Sequence, residues 1–122
     1  MKNMIFILLI LLILTSCKNV DKLLKSDNAA DIMEANILIG ERKDTTYVCE
    51  LFSNIFCPEM ESNHFKLKGL SVYQTKVTAL YEISGLKPPR KITFIPDTLI
   101  VEFYKEWARK KHYNCPYLKR RE

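Results

Sequence analysis

Residues 30–52 read ADIMEANILIGERKDTTYVCELF, and this stretch decides the fold class. Apolar side chains recur in it every three or four residues, first around Met33 and Ile37 and again, after a polar turn, from Val48. That spacing is typical of one face of a helix. Gly40 is predicted to end the first helix in a left-handed conformation. The stretch therefore predicts two helices joined by a short turn.

The second of these helices carries the clearest apolar stripe in the chain. Asp44 is predicted to cap its start, and Pro58 to end it. Because the turn at residues 41–44 is so short, the two helices are predicted to run nearly antiparallel. The stripe consists of Val48, Leu51, Phe52, Ile55 and Phe56.

A second pair of helices is predicted further along the chain. Ser71 is expected to cap a third helix that ends at Gly85, and Asp97 is expected to cap a fourth. Residues 91–96, KITFIP, lie between them and are predicted to form a brief extended connector. The sequence thus predicts an all-α fold of two helical hairpins. One shared core is expected to contain Phe52, Ile55, Leu80, Phe103 and Trp107.

The stretch 30–52 resembles a HEAT repeat. In that family a first helix ends near a small residue, an Asp lies in the turn, and a Val opens the second helix, as Gly40, Asp44 and Val48 would here. Cys49 stands where the family often has Pro. The segments ALYEISGLKPP and PDTLIVEFYKEWARK more loosely resemble the terminal unit of such an array. The resemblance implies a short HEAT-like α-solenoid, a fold that binds or scaffolds other proteins.

The chain begins with a run that is too short to cross a membrane. Residues 4–14 are all apolar and follow the positive charge of Lys2. As a helix this run would be roughly 16 Å long, whereas a spanning helix needs about 20 residues. Residues 1–16 are therefore interpreted as a secretory signal peptide.

The end of that run, Leu14-Thr15-Ser16-Cys17, resembles the lipobox of bacterial lipoproteins. The resemblance implies that the Cys17 thiol receives a diacylglyceryl group, that a peptidase cuts before it, and that Cys17 anchors the mature chain in a membrane. Lys18, where inner-membrane lipoproteins often carry Asp, implies release to the outer membrane, facing the periplasm, if the host is diderm. The alternative is an ordinary signal peptide with a chance cysteine.

These features predict a simple domain organisation. Residues 1–16 form the signal peptide, 17–27 the lipidated Cys and a tether, 28–113 the helical domain, and 114–122 a basic C-terminal tail. A mature chain of this length suits a single domain.

Charge is unevenly distributed along the chain. Residues 18–64 hold 5 basic and 9 acidic side chains, whereas residues 65–122 hold 13 basic and 5 acidic ones. This distribution has two interpretations. The charged side chains lie on solvated helix faces, or they form a basic surface that contacts an acidic partner or lipid headgroups. Nucleic acid is not expected as a partner of an exported protein.

Three cysteines remain once Cys17 is lipidated. Cys49 and Cys57 would lie about 12 Å apart along one helix, beyond the Cα separation of about 7 Å that a disulfide allows. Any bridge should therefore use Cys115. Cys57, beside Pro58, is favoured over Cys49 as its partner, and the alternative is that all three stay reduced.

No pattern in the sequence indicates catalysis. His112 and Cys115 have a spacing seen in metal sites, but only Cys49, Cys57 and His64 could complete a set, so no metal site is predicted. No catalytic residue and no cofactor are predicted either. The sequence favours a lipid-anchored, non-catalytic protein-binding or scaffold module in the cell envelope, with a membrane and a protein as partners. The alternatives are an envelope enzyme whose site the sequence does not reveal and a purely structural lipoprotein.

Overall fold

The computed structural model describes residues 3–5, 19–61 and 67–118. Cys17, His64 and, apart from residues 3–5, the predicted signal peptide lie outside these ranges. The described part of the chain contains two isolated β-bridges and no strand, so the all-α prediction is confirmed. Its main helices are α1 (Val20–Leu24), α2 (Ala29–Arg42), α3 (Val48–Phe52), α4 (Val72–Ser84) and α5 (Thr98–Lys110), and 3₁₀ turns occupy Thr45–Tyr47 and Pro116–Leu118.

The central contact of the fold is between α2 and α4, the most extensive contact between any two helices here. Met33 packs in one apolar cluster with Val72, and the Asn36 side-chain amide donates a hydrogen bond of 3.1 Å to the Thr75 hydroxyl. One turn later, Gly40 lies against Ala79. Each contact pairs a residue with the one 39 positions later, so the two helices run parallel.

Gly40 serves this contact and does not end α2, so that prediction is wrong. The helix continues to Arg42, and Lys43 adopts the left-handed conformation with φ of 50°. A Cβ atom at Gly40 would lie 2.9 Å from the Cα of Ala79, closer than real Cβ atoms come to backbone. A residue without a side chain is therefore needed where the two backbones approach.

The return segment after α2 is less helical than predicted. A 3₁₀ turn and α3 replace a continuous helix, and α3 ends at Phe52, well before Pro58. The ammonium group of Lys76 on α4 donates to the carbonyl of Ser53, which α3 no longer uses. The segment reaches the start of α4, where the Tyr73 amide donates to the Cys57 carbonyl at 3.0 Å. It therefore runs antiparallel to α2, as predicted.

The second pair of helices, α4 and α5, does not form the hairpin that the sequence predicted. The Ser71 hydroxyl at the start of α4 donates to the Phe94 carbonyl at 2.9 Å, so α5 begins beside the start of α4 and not beside its end. The connector, residues 85–97, runs back from the end of α4 to its start and contains no strand. Tyr104 of α5 holds the first residues of the connector, because the Tyr104 hydroxyl donates to the Leu86 carbonyl at 2.9 Å.

The domain is also larger than residues 28–113 at both ends. Val20, in the predicted tether, is buried, and α1 packs against α2. Cys115 and Leu118, in the predicted tail, are buried too, and Arg109 donates to the Leu118 carbonyl at 2.9 Å. The predicted boundaries are therefore too narrow, because short apolar segments beyond the long helices complete the core.

The predicted core is largely confirmed. Phe52, Ile55, Leu80 and Trp107 are buried in one cluster, and Phe103 is partly buried against it. A smaller cluster lies around the start of α2 and α4 and contains Ala29, Ala30, Met33, Leu67 and Val72.

None of the helices in the described residues is both long enough and apolar enough to cross a bilayer.

We expect Gly40→Ala to destabilise the domain by about 1–3 kcal/mol, because the added methyl group must push α2 away from α4. Inside a free helix the same change would stabilise by about 0.5–1 kcal/mol, so the sign of the effect reports on the contact. Urea unfolding followed by circular dichroism measures it.

The matched control is Lys43→Gly, three residues later. It relieves a left-handed non-glycine residue, and we expect stabilisation of about 1 kcal/mol. A stabilising Gly40→Ala would show that α2 and α4 do not meet at this position.

Candidate functional site

The parallel arrangement of α2 and α4 gives the domain two ends. We call the end with the C-termini of both helices the entry end, because the side chain of Asp21, near the start of the described chain, bonds to Tyr47 there. Asp21, two residues after Asn19, accepts a hydrogen bond of 2.7 Å from the hydroxyl of Tyr47, which lies just beyond the end of α2. The opposite end, with the N-termini of α2 and α4, is the far end.

An open cleft with basic residues lies between the last turns of α4 and the connector. Its volume is about 460 Å³, and Tyr81 of the last turns of α4 forms one side. Arg90 is 3.6 Å from Asp97 but remains largely exposed, and within the described part of the chain no ion pair involves Lys87 or Lys91. We call this the basic cleft. It is lined by Tyr81, Lys87, Pro88, Pro89, Arg90, Lys91 and Ile92.

Exposed apolar side chains collect at the far end around Ser71. Met60 forms a β-bridge with Ser71, and the Phe94 carbonyl accepts a hydrogen bond from the Ser71 hydroxyl. Ile95 follows in the chain, and Leu99 lies in the first turn of α5. These side chains are 45% to 60% exposed. We call Met60, Phe94, Ile95 and Leu99 the apolar patch.

A small cavity of about 100 Å³ lies between α2 and α4. The amide oxygens of Asn36 and Gln74 line it and have no hydrogen-bond partner in the protein. Glu82 lies at its edge, and burial, with a further contribution from Glu41, raises the pKa of this carboxyl group. The cavity suits one or a few water molecules, since pockets for organic ligands are about 300–1,000 Å³.

The cysteines pair differently from the favoured prediction. A disulfide joins Cys49 to Cys115, with 5.2 Å between their Cα atoms, and Cys57 is free. The expectation that any bridge uses Cys115 is therefore right, and the choice of Cys57 is wrong. The reason is that Cys57 packs against the small cluster at the far end, whereas Cys49 on α3 faces the segment after α5.

Within the described residues no group of three or more His, Cys, Asp or Glu side chains is close enough to hold a metal ion. His112 is exposed, and its predicted companion Cys115 is buried in the disulfide. His64 lies outside the described residues. The two residues whose spacing suggested a metal site are therefore not brought together as ligands.

Lys76 is a buried lysine that the sequence analysis did not single out. It lies on α4, and its ammonium group donates to the Ser53 carbonyl. Burial lowers the pKa of Lys76, and the nearby Cys57 and Glu50 oppose this in part. Its position beside the end of α3 gives it a structural role in holding the return segment.

The basic cleft was missed as a site, although its signal is in the sequence. Residues 83–96 contain Lys87, Arg90 and Lys91 and no acidic residue. The charge balance of residues 65–122 taken together does not reveal this short basic segment. The apolar patch could not be found in this way, because it joins residues distant in sequence.

The chain matches none of the family models, curated proteins or solved structures with which it was compared.

Among the described cysteines, we expect peptide mapping of the unreduced protein to give one cross-linked pair, Cys49 with Cys115, and one alkylatable thiol, Cys57. Replacing both bridged cysteines by Ala should lower the unfolding free energy by up to about 4 kcal/mol, because the bridge closes a loop over a sequence separation of 66. Cys57→Ala is the control and should leave the bridge intact. A peptide that joins Cys57 to Cys115 would contradict this structure.

Lys76 should make stability depend on pH in alkaline solution. Its pKa is lower in the folded than in the unfolded state, so between these two values the unfolded state binds more protons. The free energy of unfolding should therefore rise with pH from the folded-state pKa of Lys76 up to the ordinary lysine pKa. Above the ordinary lysine pKa, the rise should be complete. Lys76→Met should remove this rise, measured as the difference between the two proteins' stability–pH curves. Parallel curves would show that Lys76 is solvated.

Proposed function

We propose that this chain is a lipid-anchored cell-envelope protein that acts as a non-catalytic protein-binding or scaffold module. Cys17 carries the anchor, and the apolar patch contacts the partner. The observation that carries this proposal is the apolar patch itself, whose four side chains lie around Ser71 and are 45% to 60% exposed.

Two further features support this proposal. The patch lies on the segment before α4, the connector and the first turn of α5, and hydrogen bonds of Ser71 and Tyr104 hold the connector in place. Its chemistry is that of a protein interface centre, because exposed aromatic and aliphatic side chains gain most when another apolar surface covers them. The partner is therefore a protein with a complementary apolar surface in the same compartment.

We also propose that the fold is a short HEAT-like unit. Its support is the constant offset of 39 residues between α2 and α4, since repeats of that family are about 40–47 residues long and stack their first helices in parallel. The second unit departs from the pattern, because the connector replaces the tight turn between α4 and α5.

The anchor is tested by metabolic labelling with a fatty acid in a bacterial host. Wild type should be labelled and should sediment with membranes, and Cys17→Ser should lose the label and be released. Cys57→Ser is the matched control, since it removes a thiol that is also free of any bridge. Labelling that persists in Cys17→Ser would overturn the lipid anchor.

The binding surface is tested in the anchored protein by cross-linking in intact cells. Phe94→Glu combined with Ile95→Glu should abolish a specific cross-linked band without changing membrane attachment. Tyr117→Glu, which changes an exposed aromatic residue outside the patch, should retain that band. If both variants retain it, or if wild type gives none, the patch is not the partner surface.

A further inference from the structure

The connector carries basic and apolar side chains on adjoining stretches. Lys87, Arg90 and Lys91 line the basic cleft, and Phe94 and Ile95 follow within four residues of Lys91. All five residues are exposed. Because three residues of chain span at most about 11 Å, the Cα atom of Phe94 lies within that distance of the Cα atom of Lys91. The basic cleft and the apolar patch are therefore neighbours on one surface.

Arg90 joins these two areas in space as well as in sequence. Its side chain lines the basic cleft, and its guanidinium group is 3.6 Å from the carboxylate of Asp97. The same carboxylate accepts a hydrogen bond of 2.9 Å from the amide of Leu99, which belongs to the apolar patch. A protein segment that covers the patch therefore also contacts the cations. We call the two areas together the connector surface, which consists of Lys87, Arg90, Lys91, Phe94, Ile95 and Leu99.

The connector surface has a positive charge that nearby acidic residues do not cancel. The connector contains three basic residues and one acidic residue, Asp97, which pairs with Arg90. Lys87 and Lys91 form no ion pair within the described chain. Glu82, the acidic residue of α4, lies at the cavity between α2 and α4 and not in the basic cleft. The connector surface therefore attracts acidic groups and repels basic ones.

The shape of the basic cleft favours a chain segment as its occupant. The cleft is a recess of about 460 Å³ between α4 and the connector, and Tyr81 and Ile92 add apolar walls to it. Pockets of about 300–1,000 Å³ hold whole small ligands, so this recess can hold a few side chains of a protruding segment. Its mixed walls suit a segment with both acidic and apolar side chains.

We propose that the partner of this domain binds the connector surface through a segment in which acidic side chains flank an apolar centre. The apolar side chains cover Phe94, Ile95 and Leu99, and the carboxylates contact Lys87 and Lys91. This inference rests on the proposed function, because it takes the apolar patch as the surface that contacts a protein. An apolar centre with a polar rim is the usual composition of a protein interface. The carboxylates speed association and select the partner more than they add affinity.

The occupant is identified by photo-cross-linking in intact cells that express the full chain. A photoreactive phenylalanine analogue replaces Thr93, an exposed residue between Lys91 and Phe94. The product should be a protein whose labelled segment, sequenced by mass spectrometry, has acidic residues beside apolar ones. The same analogue at Tyr117, outside the connector surface, should not give this product. A second copy of this chain, a phospholipid, or a protein segment without acidic residues would overturn the proposal.

The need for both kinds of side chain is measured with three synthetic peptides and the full chain. Neutral phosphatidylcholine vesicles are present, since they accept the anchor and offer the cations no net charge. The mixed peptide has Asp and Glu on both sides of a Phe and Leu centre, the acidic peptide has Ser at that centre, and the basic peptide has Lys in place of Asp and Glu. Fluorescence anisotropy should show binding of the mixed peptide, about tenfold tighter than that of the other two. Equal binding of all three, or no binding of the mixed peptide, would overturn the proposal.

The basic residues are tested by reversing their charge. Lys87→Glu with Lys91→Glu should weaken binding of the mixed peptide by about tenfold or more, because two attractive charges become repulsive. Lys110→Glu with Lys111→Glu reverses the same charge on exposed residues at the end of α5 and should change the affinity by less than about threefold. Equal losses in both double variants would show that only net charge matters, and would overturn the proposed contact.

Failure of this inference can be told apart from failure of the proposed function by cross-linking both surface variants in intact cells. Phe94→Glu with Ile95→Glu tests the binding module, and Lys87→Glu with Lys91→Glu tests the acidic partner. A band lost in the first variant and kept in the second would overturn the acidic partner and leave the binding module standing. No band in wild type would overturn both.

Discussion

The parallel contact between α2 and α4 is the constraint on which the rest of this structure depends. Gly40 allows the two backbones to meet at Ala79. One turn earlier, the buried amide of Asn36 donates to the Thr75 hydroxyl, which itself donates to the Val72 carbonyl at 2.8 Å. A shift of one helix along the other would separate these polar groups in the core, which costs free energy. Shape and hydrogen bonding therefore select the same register.

The same register decides which residues share an end of the domain. The N-termini of both helices come together with the apolar patch. The disulfide of Cys49 and Cys115 fastens the segment after α5 to α3. The connector closes the other side, since its start is held by Tyr104 and its end by Ser71. The apolar patch is thus held in a fixed position beside the start of both helices, and the proposed function uses it.

Features that depend on local interactions could be predicted from the sequence. Helix starts belong to this group, because a cap bonds amides within three residues of itself. The three predicted caps each accept such a bond in the structure, namely Asp44, Ser71 and Asp97. The apolar stripes likewise identified the main core, because helical periodicity is visible over one or two turns.

Features that depend on distant residues could not be predicted in this way. The use of Gly40 is decided by Ala79, and glycine at a helix end and glycine at a helix crossing look alike in one sequence. The partner of Cys115 is decided by where α3 ends, and Ser53 leaves the helix where Lys76 of α4 meets it. For the same reason, the apolar patch became visible only once the connector was seen to lie along α4.

The parallel register of α2 and α4 is tested most directly by nuclear Overhauser contacts in the folded protein. The account predicts a strong contact between the Hα protons of Gly40 and the methyl group of Ala79, together with contacts between Met33 and Val72. An antiparallel pair would instead bring Gly40 towards Val72 and Met33 towards Ala79. Contacts of that second kind, or none between Gly40 and Ala79, would contradict the fold and with it the placement of the apolar patch beside the start of both helices.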